Sequence, residues 1–203
     1  MSARVGVLCS GGGSNLGALL EAERAGKLGD ARVVVVIVNR ADAGAIERAR
    51  RAGVPCVVLP HAGYPRREDY DAQLVATLHE HDVTMVALAG FMRLVTKVLL
   101  DAFAGRVLNI HPSLLPAFPG LHAQRQALDH GCKIAGCTVH LVDEGLDAGP
   151  IVLQAAVPVL DGDDEATLSA RILAEEHRLY PEAVKRLAAG SLRIEGRRVL
   201  GAS

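Results

Sequence analysis

The sequence predicts an open, mostly parallel α/β sheet with helices on both faces. Short Val-rich runs alternate with longer stretches of helical period, and those runs stay apolar from end to end. Continuous apolar strands are what a sheet covered on both faces requires. Strand, helix and strand in repetition imply right-handed crossovers between parallel neighbours, the Rossmann-like arrangement. A third observation sets the second half apart: Ile134 to Val142 and Ile151 to Val159 are strand-like, with only turn-rich Asp143 to Pro150 between them. With no helix to carry a crossover, these two predict an antiparallel strand pair in the C-terminal half.

The elements follow in order. Val5 to Cys9 reads as a strand, Ser10 to Ser14 as a Gly-rich loop, and Asn15 to about Ala25 as an amphipathic helix. Val33 to Asn39, Val54 to Leu59 and Thr84 to Ala89 read as further strands, with helices over Ala43 to Ala52 and Arg66 to His81 between them. Val107 to His111 is strand-like, and Pro112, Pro116 and Pro119 then prohibit regular structure until helical period resumes from Leu121 to His130. Asp164 to Ala189 forms one long helix, with Asp163 or Asp164 available as its cap. No repeat, low-complexity tract or linker interrupts the chain, so one domain over 1–203 is expected, with halves at about 1–103 and 104–203.

Composition narrows the function. Half of the residues are hydrophobic, enough to bury a sizeable core. The net charge is -1, only 3% of residues are aromatic and no basic run occurs, which removes the footprint of nucleic-acid binding. No apolar run approaches the length of a membrane span. Cys9, Cys56, Cys132 and Cys137 have neither zinc-finger nor thioredoxin spacing and read as small buried hydrophobes in a reducing compartment. No charged-and-apolar leader precedes the first strand, so a cytoplasmic protein is expected.

Gly11, Gly12, Gly13, Ser14 and Asn15 follow a strand and open a helix. Such a junction turns unpaired N–H groups and the positive end of a helix dipole towards an anion. A tight turn with Ser14 or Asn15 as an ordinary N-cap is the plainer reading of the same residues. A Walker A loop is excluded by the missing Gly-Lys-Ser/Thr, and Leu16 stands where a dinucleotide fingerprint needs its third Gly. Arg40, at the end of the second strand, keeps a phosphorylated dinucleotide open, but a single phosphate monoester fits best.

Asn109 and His111 stand two apart at a strand end, hence on one face. Pro112 favours an extended His111 and preserves that arrangement. An amide donor beside an imidazole can polarise a carbonyl and deliver a proton to it, although both residue types also serve loop backbone. Asp147, in the turn Gly145 to Pro150, would stabilise an imidazolium if the fold brought it to His111, and spacing alone does not show this. His140 with His111 and Asp147 invites a metal reading, but the short ligand spacing of zinc hydrolases is absent.

Taken together, these segments resemble the phosphoribosylglycinamide formyltransferase family of folate-dependent enzymes. The likeness rests on Ser10-Gly11-Gly12-Gly13-Ser14-Asn15-Leu16, Leu88-Ala89-Gly90-Phe91-Met92-Arg93 and Leu108-Asn109-Ile110-His111-Pro112-Ser113-Leu114-Leu115-Pro116. Pro119-Gly120-Leu121-His122, Arg125-Gln126-Ala127-Leu128 and the Asp147 turn extend it from about Val5 to Pro181. The resemblance implies a formyltransferase-type Rossmann-like fold and transfer of a formyl group from 10-formyltetrahydrofolate to the amine of glycinamide ribonucleotide, in purine biosynthesis. It implies Asn109, His111 and Asp147 as the catalytic set, with no metal. It places the substrate phosphate at Gly13, Ser14 and Asn15 and the ribose near Glu176. Folate would lie against Phe91, Met92, Arg93, Leu94 and Val95, the loop Asp143, Glu144, Gly145 and Leu146, Asn109, and Arg67.

Two departures stand out, Gly12 where Asn is frequent and Leu173 where some members carry a polar residue. The family's loop suggests a cis bond at Leu115-Pro116. Small-molecule partners, and a monomer or homodimer, are expected. A formyl-folate hydrolase with the same residues, or a silent nucleotide- or folate-binding module, remains an alternative. A methionyl-tRNA formyltransferase would need an RNA-binding domain beyond Gly190.

Overall fold

The computed structural model describes residues 2–201, so Met1 and the last two residues of the expected 1–203 domain lie outside the described residues. The first half runs β1 (Arg4–Cys9), α1 (Ser14–Arg24), β2 (Arg32–Val38), α2 (Ala45–Arg51), β3 (Cys56–Val58), α3 (Arg67–Glu80), β4 (Met85–Leu88) and α4 (Lys97–Ala102). The second half continues with β5 (Val107–His111), α5 (Ala123–Asp129), β6 (Ile134–Leu141), β7 (Ile151–Pro158), α6 (Glu165–Ala188), β8 (Arg193–Glu195) and β9 (Arg198–Leu200).

The strands form one sheet in the order β3-β2-β1-β4-β5-β6-β7-β9-β8. β1 to β5 pair parallel, while β6 runs antiparallel to both β5 and β7. The expected C-terminal pair is therefore present, and its first strand also closes onto the parallel half. Alternate residues of β1, β2, β4 and β5 serve two cores. Val5, Val7 and Cys9 face α1, α2 and α6, whereas Leu8 faces α3 and α4. This is why the runs read as apolar without alternation.

The long helix α6 is capped by Asp164, whose carboxylate accepts from Thr167 N in a reciprocal capping box. Tyr180 on α6 is fully buried and donates its hydroxyl to Leu88 O at 2.8 Å, pinning the end of β4. Leu115-Pro116 is cis. Cys9 and Cys137 are buried, but Cys56 and Cys132 are only partly so, and all four are free thiols. Burial pushes the Cys9 thiol up to about 12. Among the described residues no helix is long and apolar enough to cross a membrane.

Helix α4 and the β8–β9 hairpin are additions to the elements read from sequence. α4 spans six residues, under two turns, too short for a 3.6-residue period to declare itself. β8 and β9 span three residues each and exist by pairing with one another and, through β9, with β7.

The chain order reverses between β1 and β4: β1 to β3 step outward one way, and β4 opens on the other side. At such a switch point the loops beyond the strand ends diverge and leave a crevice. Ser10 N donates to Gly90 O at 3.0 Å and Met92 N to Ser10 Oγ at 2.8 Å, tying the loops after β1 and β4 together beside that crevice.

Candidate active site

Two cavities open at these strand ends. The smaller, of about 460 Å3, is lined by the loop Ser10 to Asn15, by Asn39, Arg40 and His61, and by Ala89, Gly90 and Met92. The larger, of about 970 Å3, takes in Arg67, Leu88, the segment Gly90 to Lys97, Asn109 to Pro112 and the loop Val142 to Asp147. Gly90 and Met92 line both, so the cavities adjoin there.

Gly13 takes φ +69 as the N-cap of α1, which leaves Ser14 and Asn15 in the first turn, with no side-chain cap hydrogen bond on the helix. Their hydroxyl and amide thus do not serve as plain caps. Asn15 instead donates Nδ2 to Glu176 Oε2 at 2.7 Å. Glu176 lies behind Asn15, 6% exposed and outside the lining of either cavity. Burial pushes its carboxyl up against the opposing effect of the Asn15 hydrogen bond.

Asn109 and His111 point from the end of β5 into the larger cavity, as their spacing requires. Asp147 meets them from the β6–β7 loop, with Oδ2 at 3.4 Å from His111 Nδ1 and Oδ1 at 3.4 Å from Asn109 Nδ2. Gly120 N donates to Asp147 Oδ2 at 2.8 Å, holding the carboxylate against the loop after β5. Burial pushes the Asp147 carboxyl up. The His140 ring, the Gly120 N–H and the charge on His111 more than offset it and hold the group below the ordinary carboxylate range. The other His111 nitrogen, Nε2, lies 2.9 Å from Phe118 O. Both ring nitrogens therefore lie beside oxygen atoms, one of Asp147 and one of Phe118.

His140 has a part that sequence reasoning missed. It is the direct register partner of Asn109 across the β5–β6 ladder, so both side chains share a face. Its Nδ1 lies 2.9 Å from Leu141 O, which can only accept, and its Nε2 lies 3.1 Å from Asn109 Nδ2. Nε2 also lies 3.6 Å from Asp147 Oδ1, so the ring sits against both the amide and the carboxylate. With both nitrogens so engaged, His140, His111 and Asp147 do not converge on a metal, and the described residues hold no cluster of three or more His, Cys, Asp or Glu able to do so.

The floor of the larger cavity is held from below. Asp71 on α3 is 1% exposed and accepts from Thr96 N at 2.5 Å, anchoring the segment that carries Phe91, Met92, Arg93, Leu94 and Val95. Arg93 stacks its guanidinium 4.6 Å from the centre of the Tyr70 ring. Met92, Leu94 and Leu146 are exposed apolar side chains around the opening, and Arg67 lies exposed at the rim. The loop residues Asp143, Glu144 and Gly145 complete that side.

Known proteins are similar to this chain in sequence and fold. Residues 3–184 match the model of the formyl transferase family. A phosphoribosylglycinamide formyltransferase of Mycobacterium tuberculosis is 48% identical over 197 residues, covering 96% of this chain and 89% of that one. A trifunctional purine biosynthetic protein adenosine-3 of Drosophila pseudoobscura is 51% identical over 191 residues, and the match spans 94% of this chain but 14% of that much longer protein. The crystal structure of glycinamide ribonucleotide transformylase 1 from Symbiobacterium toebii superposes with a TM-score of 0.95 at 60% identity, covering 97% of this chain and 92% of that one. At 48% and 60% identity over nearly the whole of both chains, the chain belongs to the phosphoribosylglycinamide formyltransferase family.

Proposed function

We propose that Asn109, His111 and Asp147 carry the transfer of a formyl group from 10-formyltetrahydrofolate to the amine of glycinamide ribonucleotide. The observation that carries this reading is the junction of the two cavities: a Gly-rich anion cradle adjoins, through Gly90 and Met92, a larger chamber holding an amide, an imidazole and a carboxylate. The larger volume suits a drug-sized ligand, since such sites measure about 300–1,000 Å3. Gly13, Ser14 and Asn15 would hold the phosphate, and the folate would occupy the chamber between the Phe91 to Val95 segment, the Asp143 to Leu146 loop and Arg67. Glu176 would act at the ribose side through Asn15, which it holds.

The amine attacks the formyl carbon, and the carbonyl oxygen gains the negative charge. Asn109 Nδ2 and the His111 ring would donate to that oxygen, His111 by exchanging the contact of its Nε2 with Phe118 O for one to the substrate. The Asn109 to Asp147 contact, at 3.4 Å, is long for a hydrogen bond and is the one an incoming oxygen replaces. Asp147 orients His111 and would stabilise its imidazolium as that forms. As the tetrahedral species collapses, the bond from carbon to the folate nitrogen breaks. The proton released by the attacking amine goes to that nitrogen, so no net proton is lost.

The test is to mix the protein with 10-formyltetrahydrofolate and follow deformylation by absorbance, with and without glycinamide ribonucleotide. One formylated ribonucleotide per folate released is expected. Equal folate turnover without the ribonucleotide marks a hydrolase, and no turnover under either condition marks a binding module.

A further inference from the structure

The Gly-rich loop is held from behind by helix α2, in a way the sequence motif does not reveal. Ala45 N donates to Gly11 O at 3.1 Å, and Arg48 Nε donates to the next carbonyl, Gly12 O, at 2.8 Å. In a trans peptide the C=O of one residue and the N–H of the next point opposite ways. Tying these two carbonyls to α2 therefore turns the N–H groups of Gly12 and Gly13 away from it. Gly12 and Gly13 line the smaller cavity and no α2 residue does, so those N–H groups face the cavity side.

The fit is tight enough to be specific. A Cβ on Gly13 would come within 2.8 Å of the Ala45 Cβ, and one on Gly17 within 3.0 Å of Arg48 Nη1. The guanidinium thus packs closely against Gly17, where a side chain would have to push it aside. Two buried side chains line the same cavity with an amide oxygen unpartnered, an acceptor suited to a hydroxyl of the ribonucleotide rather than to its phosphate. Asn39 is 4% and Asn15 8% exposed, both line the cavity, and the Oδ1 of each is buried without a partner.

We propose that Arg48 is a positioning residue for the substrate phosphate. It locks the Gly12 peptide so that the loop's N–H groups converge, and it places a permanent positive charge directly behind the cradle. It does not touch the ligand. This inference rests on the reading of the smaller cavity as the phosphate end of the ribonucleotide site.

The experiment compares wild type with Arg48→Ala and Arg48→Lys, using glycinamide ribonucleotide and the phosphate-free glycinamide riboside as alternative acceptors. Loss of a charge-assisted hydrogen bond predicts a rise of about tenfold or more in KM for the ribonucleotide in Arg48→Ala. The KM for the riboside should move far less, and Arg48→Lys should recover part of the loss. An equal penalty on both acceptors marks general disruption of the fold and overturns the proposal. A second readout does not depend on turnover: the amide resonances of Gly12 and Gly13 are followed as ribose 5-phosphate is added. If they shift in wild type and the affinity drops in Arg48→Ala, the proposal stands. If they shift with equal affinity in both, Arg48 has no such role and the phosphate reading survives. If they do not shift in wild type, the phosphate reading itself falls and the proposal falls with it.

Discussion

Asp147 reaches His111 from a different loop, its Oδ2 lying 3.4 Å from the imidazole Nδ1 while the same oxygen accepts from Gly120 N at 2.8 Å. Asp147 sits at φ +49, a left-handed conformation that few residues other than Gly, Asn and Asp adopt. The carboxylate is thus presented by a strained turn and clamped by a neighbouring loop, so its position depends on both.

Removing either donor should strand the developing oxyanion. Asn109→Ala and His111→Ala are each expected to lower kcat on the order of a hundredfold or more. Circular dichroism should show the fold retained. Near-wild-type turnover in either variant would remove that residue from the catalytic set.

Asp147 links folding to acid. Its folded carboxyl lies below the ordinary range, so the unfolded chain takes up the proton first as pH falls. Its ionic contribution to stability is complete above the unfolded value of about 4 and disappears as pH drops through the lower folded value. Denaturant titrations of wild type and Asp147→Asn from pH 7 to pH 3 should show a stability gap that narrows below about pH 4. A gap that stays constant over the whole range contradicts the assignment.

Gly13 and Gly11 form an internal control for the loop. Gly13 stands at φ +69 with Ala45 against it, whereas a Cβ on Gly11 meets nothing within 4 Å. Gly13→Ala should cost about 1–3 kcal/mol of stability and weaken the ribonucleotide site. Gly11→Ala should leave the melting temperature nearly unchanged. Equal melting temperatures for the two variants would show that the loop yields more freely than its packing indicates.

Asp71 supports the chamber from underneath through Thr96 N. Asp71→Ala leaves that N–H without its buried acceptor, at about 1–3 kcal/mol. The segment Phe91 to Val95 should loosen, raising KM for the formyl-folate while leaving KM for the ribonucleotide largely unaffected. Steady-state kinetics with each substrate varied in turn separates the two, and an equal rise in both KM values would refute a folate-side role.

How much was legible before the fold differs from residue to residue. Asn109 and His111 could be placed on one face because a strand repeats every two residues, a rule that needs no distant partner. The expected strands and long helices are present to within a few residues at their ends, since apolar periodicity marks them locally. α4 escaped notice for want of length, and the β8–β9 hairpin because its six strand residues are ordered by pairing rather than by pattern. His140 looked like a stray metal candidate until the β5–β6 register set it opposite Asn109.

By itself the sequence determined the alternation of strand and helix, the glycine loop after β1 and the shared face of Asn109 and His111. All of these follow from spacings of a few residues. The tertiary structure decided which distant groups meet: Asp147 at His111, His140 at Asn109, Glu176 behind Asn15 and Arg48 behind Gly12. Those approaches depend on strand order, on an antiparallel register and on the packing of α2 and α6 against the sheet. A local pattern cannot encode them, because each is set by the sum of many contacts remote in the chain.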